Sequence, residues 1–379
     1  MTKKVKLGDV ATYINGYAFK PKDRGSKGLP IIRIQDLTGN SYDRGYYAGE
    51  YPEKIEINNG DILISWSASL GVYIWNRGKA LLNQHIFKVV FDKLPINRNY
   101  FVYAVQYHLA DMKQQTHGAT MKHITKGVFE KLTIPYPDMQ VQEEIAKRLN
   151  LIKNIQNKRE IELKKLDDLI KARFVEMFGD PGTPGQRYPT DKLGNVAFVK
   201  SSHRVFTTEF VEKGIPFFRG TEIGILAEGG IPKDPFYITE KKYKELASDE
   251  SKPLVGDLLM PSICNKGQVW MVDTEKPFYY KDGRVLCISP NRDIFDSKYL
   301  QFYLKLRTEI EYPKLGSGST FAEFKIFQLK ELEVDLPPKY MQERFKNFIM
   351  QVDKSKAVIQ KSIDQTQMLF DSLMQEYFS

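Results

Sequence analysis

Lys6-Leu7-Gly8-Asp9-Val10-Ala11 returns 186 residues later as Lys192-Leu193-Gly194-Asn195-Val196-Ala197. At the same offset Pro30-Ile31-Ile32-Arg33 meets Pro216-Phe217-Phe218-Arg219, and Asp36 meets Glu222. Gly60-Asp61-Ile62-Leu63 then meets Gly256-Asp257-Leu258-Leu259 at an offset of 196. From Gly118-Ala119-Thr120 and Gly318-Ser319-Thr320 onward the offset is 200, and it carries Leu132 to Leu332, Pro137 to Pro337 and Gln142-Glu143 to Gln342-Glu343. Chance matches would scatter in order and offset. An offset that only grows is the mark of a duplication whose loops differ by insertion. The chain therefore divides into two sibling modules.

Each module has the same internal order. Short β-like runs come first, such as Ile62-Leu63-Ile64 and Phe87–Phe91, matched by Asp257–Met260 and Val285–Ile288. A helical stretch follows at 100–113 or 299–311, and a Pro-containing strand at 132–137 or 332–338 leads into a long helix. Residues 140–178 hold neither Pro nor Gly, and Gly179 with Pro181 stands where a helix would end. Apolar residues recur there at alternating spacings of four and three: Ile145, Leu149, Ile152, Leu163, Leu166, Ile170 and Met177. In the same phase the second copy gives Phe345, Ile349, Val352, Ile359, Ile363, Phe370, Leu373 and Tyr377. Gln156, Arg159 and Lys356 interrupt the seams near their middles. This is coiled-coil periodicity. A single such helix could pack on its own module; two in one phase point to each other. At 1.5 Å per residue each is roughly 58 Å long. Antiparallel pairing would hold the module centres on the order of one to one and a half DNA turns apart.

Net charge is +9, with 56 Lys and Arg against 47 Asp and Glu. Residues 1–139 hold 19 against 12, residues 140–178 hold 9 against 7, residues 179–339 hold 23 against 23, and residues 340–379 hold 5 against 5. The excess sits in the first half, and there it suggests an anionic partner. No run approaches the roughly 18 apolar residues of a membrane span, and no secretory signal is visible, so a cytoplasmic protein is expected. The two cysteines, Cys264 and Cys287, lack the spacing of a zinc site and are expected as reduced thiols.

The doubled order carries a family resemblance. Lys6-Leu7-Gly8-Asp9, Asn59–Leu63, Leu132–Pro137, Gln142-Glu143-Glu144-Ile145 and Phe174–Asp180 form one set. Lys192-Leu193-Gly194, Val255–Leu259, Leu332–Pro337 and Gln342-Glu343-Arg344-Phe345 form the other. Together they resemble the specificity subunit of type I restriction-modification systems along essentially the whole chain. The fold this implies is α+β: two tandem homologous strand-rich target-recognition domains, separated and joined by two long helices forming an antiparallel coiled coil. The expected boundaries are 1–139 and 180–339 for the recognition domains, and 140–179 and 340–379 for the spacer helices. The resemblance also implies double-stranded DNA, two modification (methyltransferase) subunits and restriction subunits as partners. S-adenosylmethionine, ATP and Mg²⁺ would belong to those partners, with no cofactor on this chain. Because the module loops differ, the DNA site should be bipartite and asymmetric. A stand-alone DNA-binding regulator on the same scaffold is the other reading.

No catalytic motif is legible. Asp234-Pro235-Phe236-Tyr237 and Leu336-Pro337-Pro338-Lys339 do not make an amino-methyltransferase motif, and there is no P-loop. Pro137-Asp138 with Glu162-Leu163-Lys164 resembles a nuclease pattern only by placing its charges on the helix, where a solvated face is the simpler account. The five histidines show no metal-binding pair. A non-catalytic, DNA-reading chain is expected.

Phosphates are met by Lys, Arg and small polar groups, and base edges by Arg, Lys, Asn, Gln, Ser and Thr. The candidates in the first module are Lys20, Lys22, Arg24 and Lys27; Arg33 with Gln35; Trp66 with Ser67; Asn83, Gln84 and His85; and His117, Thr120 and Lys122. In the second they are Ser201, Ser202, His203 and Arg204; Arg219 with Thr221; Asn265 and Lys266; Tyr279, Tyr280 and Lys281; and Ser317, Ser319 and Thr320. Arg33 and Arg219 also stand three residues before Asp36 and Glu222, so a structural ion pair competes with a DNA contact. The Asn83-Gln84 pair has no evident counterpart, Asp282-Gly283 standing in its place.

Overall fold

The apolar runs bounded by turn residues become strands, and the doubling extends to every sheet. A computed structural model describes residues 3–39, 45–67, 69–115, 125–263, 267–315 and 322–379, without the side chains of 113–115. It divides into two compact units, 1–161 with 360–379, and 162–359.

In the first unit Thr12–Asn15, Ile86–Val90, Ile62–Ser65 and Gly71–Ile74 lie side by side in that order, all antiparallel. A second sheet orders Tyr46–Tyr47, Leu29–Ile32, Ala80–Leu82 and Glu56–Ile57, with a parallel pair at its centre. Among the described residues the second unit repeats the first sheet in full and the second without a strand matching Glu56–Ile57. Ala197–Lys200, Val285–Pro290, Leu258–Pro261 and Trp270–Met271 form the antiparallel sheet. Phe236–Ile238, Ile215–Phe218 and Tyr279–Tyr280 form the other, its last pair parallel. Each unit also has a two-stranded ribbon, Lys4–Lys6 with Thr133–Pro135 or Thr190–Lys192 with Glu333–Asp335.

The repeated motifs are scaffold. The Gly-Asp pair starts a strand: Gly60 and Gly256 take φ of 89° and 84°, a left-handed turn that favours glycine. Asp61 and Asp257 then accept the backbone N–H of Asn58 (2.8 Å) and Leu254 (3.0 Å). Both carboxylates have a cation, but from different strands. Lys88 reaches Asp61 at 2.9 Å. Its register equivalent is Cys287, and in the second unit Lys200, from the position of Ile14 on the neighbouring strand, approaches Asp257 at 3.6 Å. Cys287 is fully buried and its thiol is pushed up to about 12 by desolvation. Cys264 lies outside the described residues.

The Gln that opens each long helix is a buried clip. The Gln142 carbonyl accepts the N–H of Asn97 at 3.0 Å and its amide donates to Pro137 O at 2.9 Å. Gln342 accepts from Asp296 N at 2.9 Å and donates to Ile294 O and Pro337 O at 2.9 and 2.8 Å.

The long helices run Met139–Phe178 and Lys339–Phe378, and each compact unit takes half of each. In the first unit Gln156 donates to Gln367 at 2.9 Å and Arg148 to the Tyr377 hydroxyl at 3.3 Å. In the second Lys356 meets Asp167 at 2.6 Å, and the Phe174 and Phe345 rings are 5.4 Å apart. Partner numbers fall as the others rise, so the halves pair antiparallel within each unit. Two interruptions of the seam, Gln156 and Lys356, are thus paired polar groups. Ile145, Leu149, Ile152, Ile170, Met177, Phe345, Ile349, Val352, Ile359 and Phe370 are buried, while Leu163, Leu166, Ile363, Leu373 and Tyr377 are half-buried.

The periodicity missed a second set of contacts, where the helix ends enter the module cores. Phe174 and Phe178 pack on Tyr299 in the second unit, and Phe378 packs on Tyr100 and Tyr107 in the first. Such aromatic burial dominates core energetics.

Replacing Gln342 by Ala should leave three backbone groups unpaired at the helix start. We expect a loss of about 2–4 kcal/mol, at the usual cost of orphaned buried polar groups. Urea unfolding followed by circular dichroism should show a lower midpoint, whereas Glu343→Ala, one residue on and exposed, should be nearly neutral.

Candidate nucleic-acid interface

The parallel strand pair of each small sheet brings polar residues from distant parts of the chain to one end. In the first unit Ile31 and Ile32 pair with Leu81 and Leu82, and Asn83 N–H donates to Ile32 O at 3.1 Å. This sets Arg33 and Gln35 beside Asn83, Gln84 and His85. Trp66 joins them through its backbone N–H to His85 O (3.4 Å), with the two rings 5.3 Å apart. Gly16 lets the neighbouring strand approach: a Cβ there would stand 2.1 Å from Asn83 O.

The second unit repeats the junction. Phe217 and Phe218 pair with Tyr279 and Tyr280, and Lys281 N–H donates to Phe218 O at 2.9 Å. Lys281 is therefore the counterpart of Asn83. The loop after it is one residue longer, which hid the correspondence in the sequence. A cleft of about 340 Å³ opens here, lined by Arg219, Thr221, Gln268, Lys281 and Arg284 with Pro261 and Ile263. Arg284 and Gln268 were missed in the sequence; the signal available was the close spacing of Lys281 and Arg284 around a Gly turn. Arg284 donates to Glu323 at 3.1 Å, and Gln268 to Glu228 at 2.8 Å.

The ion pairs expected as the alternative for the two arginines are present. Arg219 forms two side-chain bonds to Glu222, at 2.6 and 3.0 Å, and Glu222 also accepts the Arg219 backbone N–H at 2.8 Å. The Arg219 guanidinium holds the Glu222 carboxyl below its ordinary value, although burial opposes this. Arg33 has the same backbone bond to Asp36, at 2.9 Å, and a looser side-chain approach of 3.7 Å. Each carboxylate is buried under its arginine, so the guanidinium is held in place at the cleft.

Three candidates need correction. Tyr279 and Tyr280 are fully buried and Ser67 nearly so, which leaves none of them a face for DNA. The tyrosines occupy the place of Leu81 and Leu82 and fill two separate apolar clusters. Their hydroxyls are used inside: Tyr279 with Ser251 at 2.9 Å, Tyr280 to Ser251 O at 3.1 Å. Ser201 and Ser202 also turn inward, accepting Gly283 N–H at 2.9 Å and donating to Tyr280 O at 2.6 Å. Lys20, Lys22, Arg24, Lys27, Gln35, Gln84, His203, Arg204, Thr221 and Lys281 are exposed; Arg33, Trp66, Asn83, His85 and Arg219 are half-buried. His117, Thr120, Lys122, Asn265, Lys266, Ser317, Ser319 and Thr320 lie outside the described residues.

His203 fastens the strap that carries it. Its Nε2 lies 2.6 Å from an Asp249 oxygen and its backbone N–H donates to Tyr279 at 2.9 Å. The His203 contact is the largest cause of the low Asp249 pKa, about 2. Among the described residues no three His, Cys, Asp or Glu side chains are grouped to hold a metal, and no helix is long and apolar enough to cross a membrane.

The class this defines is a duplicated α+β protein with a polar junction repeated in each unit and a shared pair of long helices. The chain belongs to the type I restriction modification DNA specificity domain family, whose model matches residues 2–165 and again 189–366. The specificity subunit of the type I enzyme MjaVIII from Methanocaldococcus jannaschii is 26% identical, with 94% of this chain and 89% of that one covered. That of EcoBI from Escherichia coli is 27% identical over 192 residues, half of this chain and 40% of its own length. Solved structures share the fold. The S subunit from M. genitalium covers 100% of this chain and 96% of its own at a TM-score of 0.53 and 14% identity. A chain from a study of complex assembly and conformational transition in the type I R-M system covers 99% and 97% at a TM-score of 0.60 and 16% identity.

Substituting His203 by Ala should raise the Asp249 pKa from about 2 toward the ordinary aspartate value near 3.9. A depressed carboxylate stabilises the fold above its unfolded pKa and loses that contribution as pH falls through the folded one. The variant should therefore lose this contribution at higher pH on acidification. Carboxyl-carbon NMR titration of Asp249 would read the shift; an unchanged midpoint would remove the histidine as its cause.

Proposed function

We propose that this chain is the DNA-recognition subunit of a type I restriction-modification enzyme. It reads an asymmetric bipartite duplex site, one half per module, and scaffolds two modification subunits and the restriction subunits. The observation that carries this reading is the repeated junction: one strand pairing gives Arg33, Gln35, Asn83 and Gln84 in one unit and Arg219, Thr221, Lys281 and Arg284 in the other. Arginine is common to both at Arg33 and Arg219, whereas Gln35 is matched by Thr221, Asn83 by Lys281 and His85 by Arg284, and different hydrogen-bonding groups at equivalent positions are what two different half-sites require. The chain itself is non-catalytic on this reading. S-adenosylmethionine, ATP and Mg²⁺ are bound by the partners, and the complex works in the cytoplasm.

Methylation mapping in cells carrying the complete system tests it. A two-part asymmetric motif with an unread spacer is expected, disappearing when this chain is deleted. Methylation unaffected by the deletion would favour a stand-alone regulator, and DNA cleavage or methylation by the purified chain would overturn the non-catalytic role. Lys281→Ala and Arg284→Ala should each weaken binding to the mapped site. A lost base contact costs about 1–3 kcal/mol and relaxes one position, whereas a lost phosphate contact shallows the salt slope by about one.

A further inference from the structure

The loop that enters the small sheet has the same backbone in both units and opposite chemistry. In the first unit the 3₁₀ turn Pro21–Asp23 is closed by Lys20 N–H to Asp23 at 2.7 Å; in the second Thr207–Glu209 is closed by Phe206 N–H to Glu209 at 2.8 Å. The bridges Gly25–Tyr46 and Val211–Tyr237 fix the register. Lys20 thus corresponds to Phe206, Lys22 to Thr208, Arg24 to Phe210 and Gly45 to Phe236. The Arg24 stem lies over Gly45; at the same place Phe210 stacks on Phe236 with centroids 4.7 Å apart.

The second loop and the strand beside it carry a ladder of Phe210, Phe236 and Arg219, and a separate pair, Phe206 with Arg204. Phe206 is 57% exposed and Phe236 is 43% exposed. Arg204 lies over Phe206 at 5.2 Å and Arg219 over Phe236 at 4.5 Å. Arg219 also lines the cleft with Lys281 and Arg284, so the ladder is continuous with the polar junction. Residues 179–339 carry 23 cations and 23 anions. This module lacks the excess charge by which phosphate contacts alone would hold it to DNA.

We propose that the two modules hold duplex DNA by different physics at this one loop. Lys20, Lys22 and Arg24 neutralise phosphates in the first; in the second Phe206 and Phe236 pack on apolar DNA surface, base edges or sugars, with Arg204 and Arg219 held against them. Phenylalanine contacts the thymine methyl and wedges between base steps in other DNA-binding proteins. Such contacts release no counterions. This rests on the DNA-reading function proposed above.

The test is equilibrium binding of the full-length chain to a duplex carrying the mapped site, as a function of salt. Each neutralised phosphate contributes about 0.9 to the slope of log affinity against log salt. Lys20→Ala/Lys22→Ala/Arg24→Ala should shallow that slope by about two to three. Phe206→Ala/Phe236→Ala should lower affinity about fivefold to tenfold at every salt concentration with the slope unchanged. Phe206→Lys, at an exposed position that does not bear on folding, should instead steepen the slope by about one. Wild-type affinity in the double Phe variant, a slope change in it like that of the cationic triple, or an altered oligomeric state with DNA binding intact would overturn the proposal. A wild-type chain that bound no duplex, alone or with its modification subunits, would remove the DNA-reading function itself.

Discussion

Neither module completes its core from its own stretch of chain. The first is closed by Phe378, from the far end of the second long helix, against Tyr100; the second is closed by Phe174 and Phe178, from the end of the first long helix, against Tyr299. Each is an aromatic ring fixed at the end of a continuous helix, so core packing and helix pairing are one constraint. A slip of one residue along the seam would turn these rings by about 100° and pull them from both cores. In each unit the antiparallel register is held by a polar pair, Gln156–Gln367 or Lys356–Asp167, and by the aromatic anchor that enters that unit's core.

This explains why the architecture was legible in the sequence and the interface less so. Helix periodicity, a Pro exit, a Gly-Asp turn and a helix-opening Gln are local signals, and their double appearance made them unambiguous. The motifs that carried the reading serve the scaffold. Gln142 and Gln342 spend their amides on backbone, and Asp61 and Asp257 spend their carboxylates on a turn and a lysine. They persist in both copies because the shared scaffold needs them.

The junction was harder to read because it is assembled by a parallel pairing between segments some 50 or more residues apart in sequence. Tyr279 and Tyr280 stand beside Lys281 in the sequence as one candidate cluster, yet their equivalents Leu81 and Leu82 show what the position demands. One inserted residue between Val272 and Tyr279 and another after Lys281 broke the alignment that would have revealed it. Arg33 and Arg219 are candidate DNA contacts in the sequence with an ion pair as the alternative; the ion pair is present, and it leaves both side chains at the candidate junction. Glu222 holds the Arg219 guanidinium over Phe236, where one side chain touches the buried carboxylate, the aromatic ladder and the cleft.

The carboxylates of Asp61 and Asp257 carry a historical implication. Aligned column by column, Lys88 faces Cys287 and Ile14 faces Lys200, two replacements that look unrelated. In space they are one event, an ammonium group handed between adjacent β-strands while it continues to answer the same acid. In the second unit Arg292 also stands 3.7 Å from Asp257, so that acid does not depend on the lysine alone. The twin halves thus answer one acid from different strands, and likeness between them is better judged by what each side chain answers than by identity at each column.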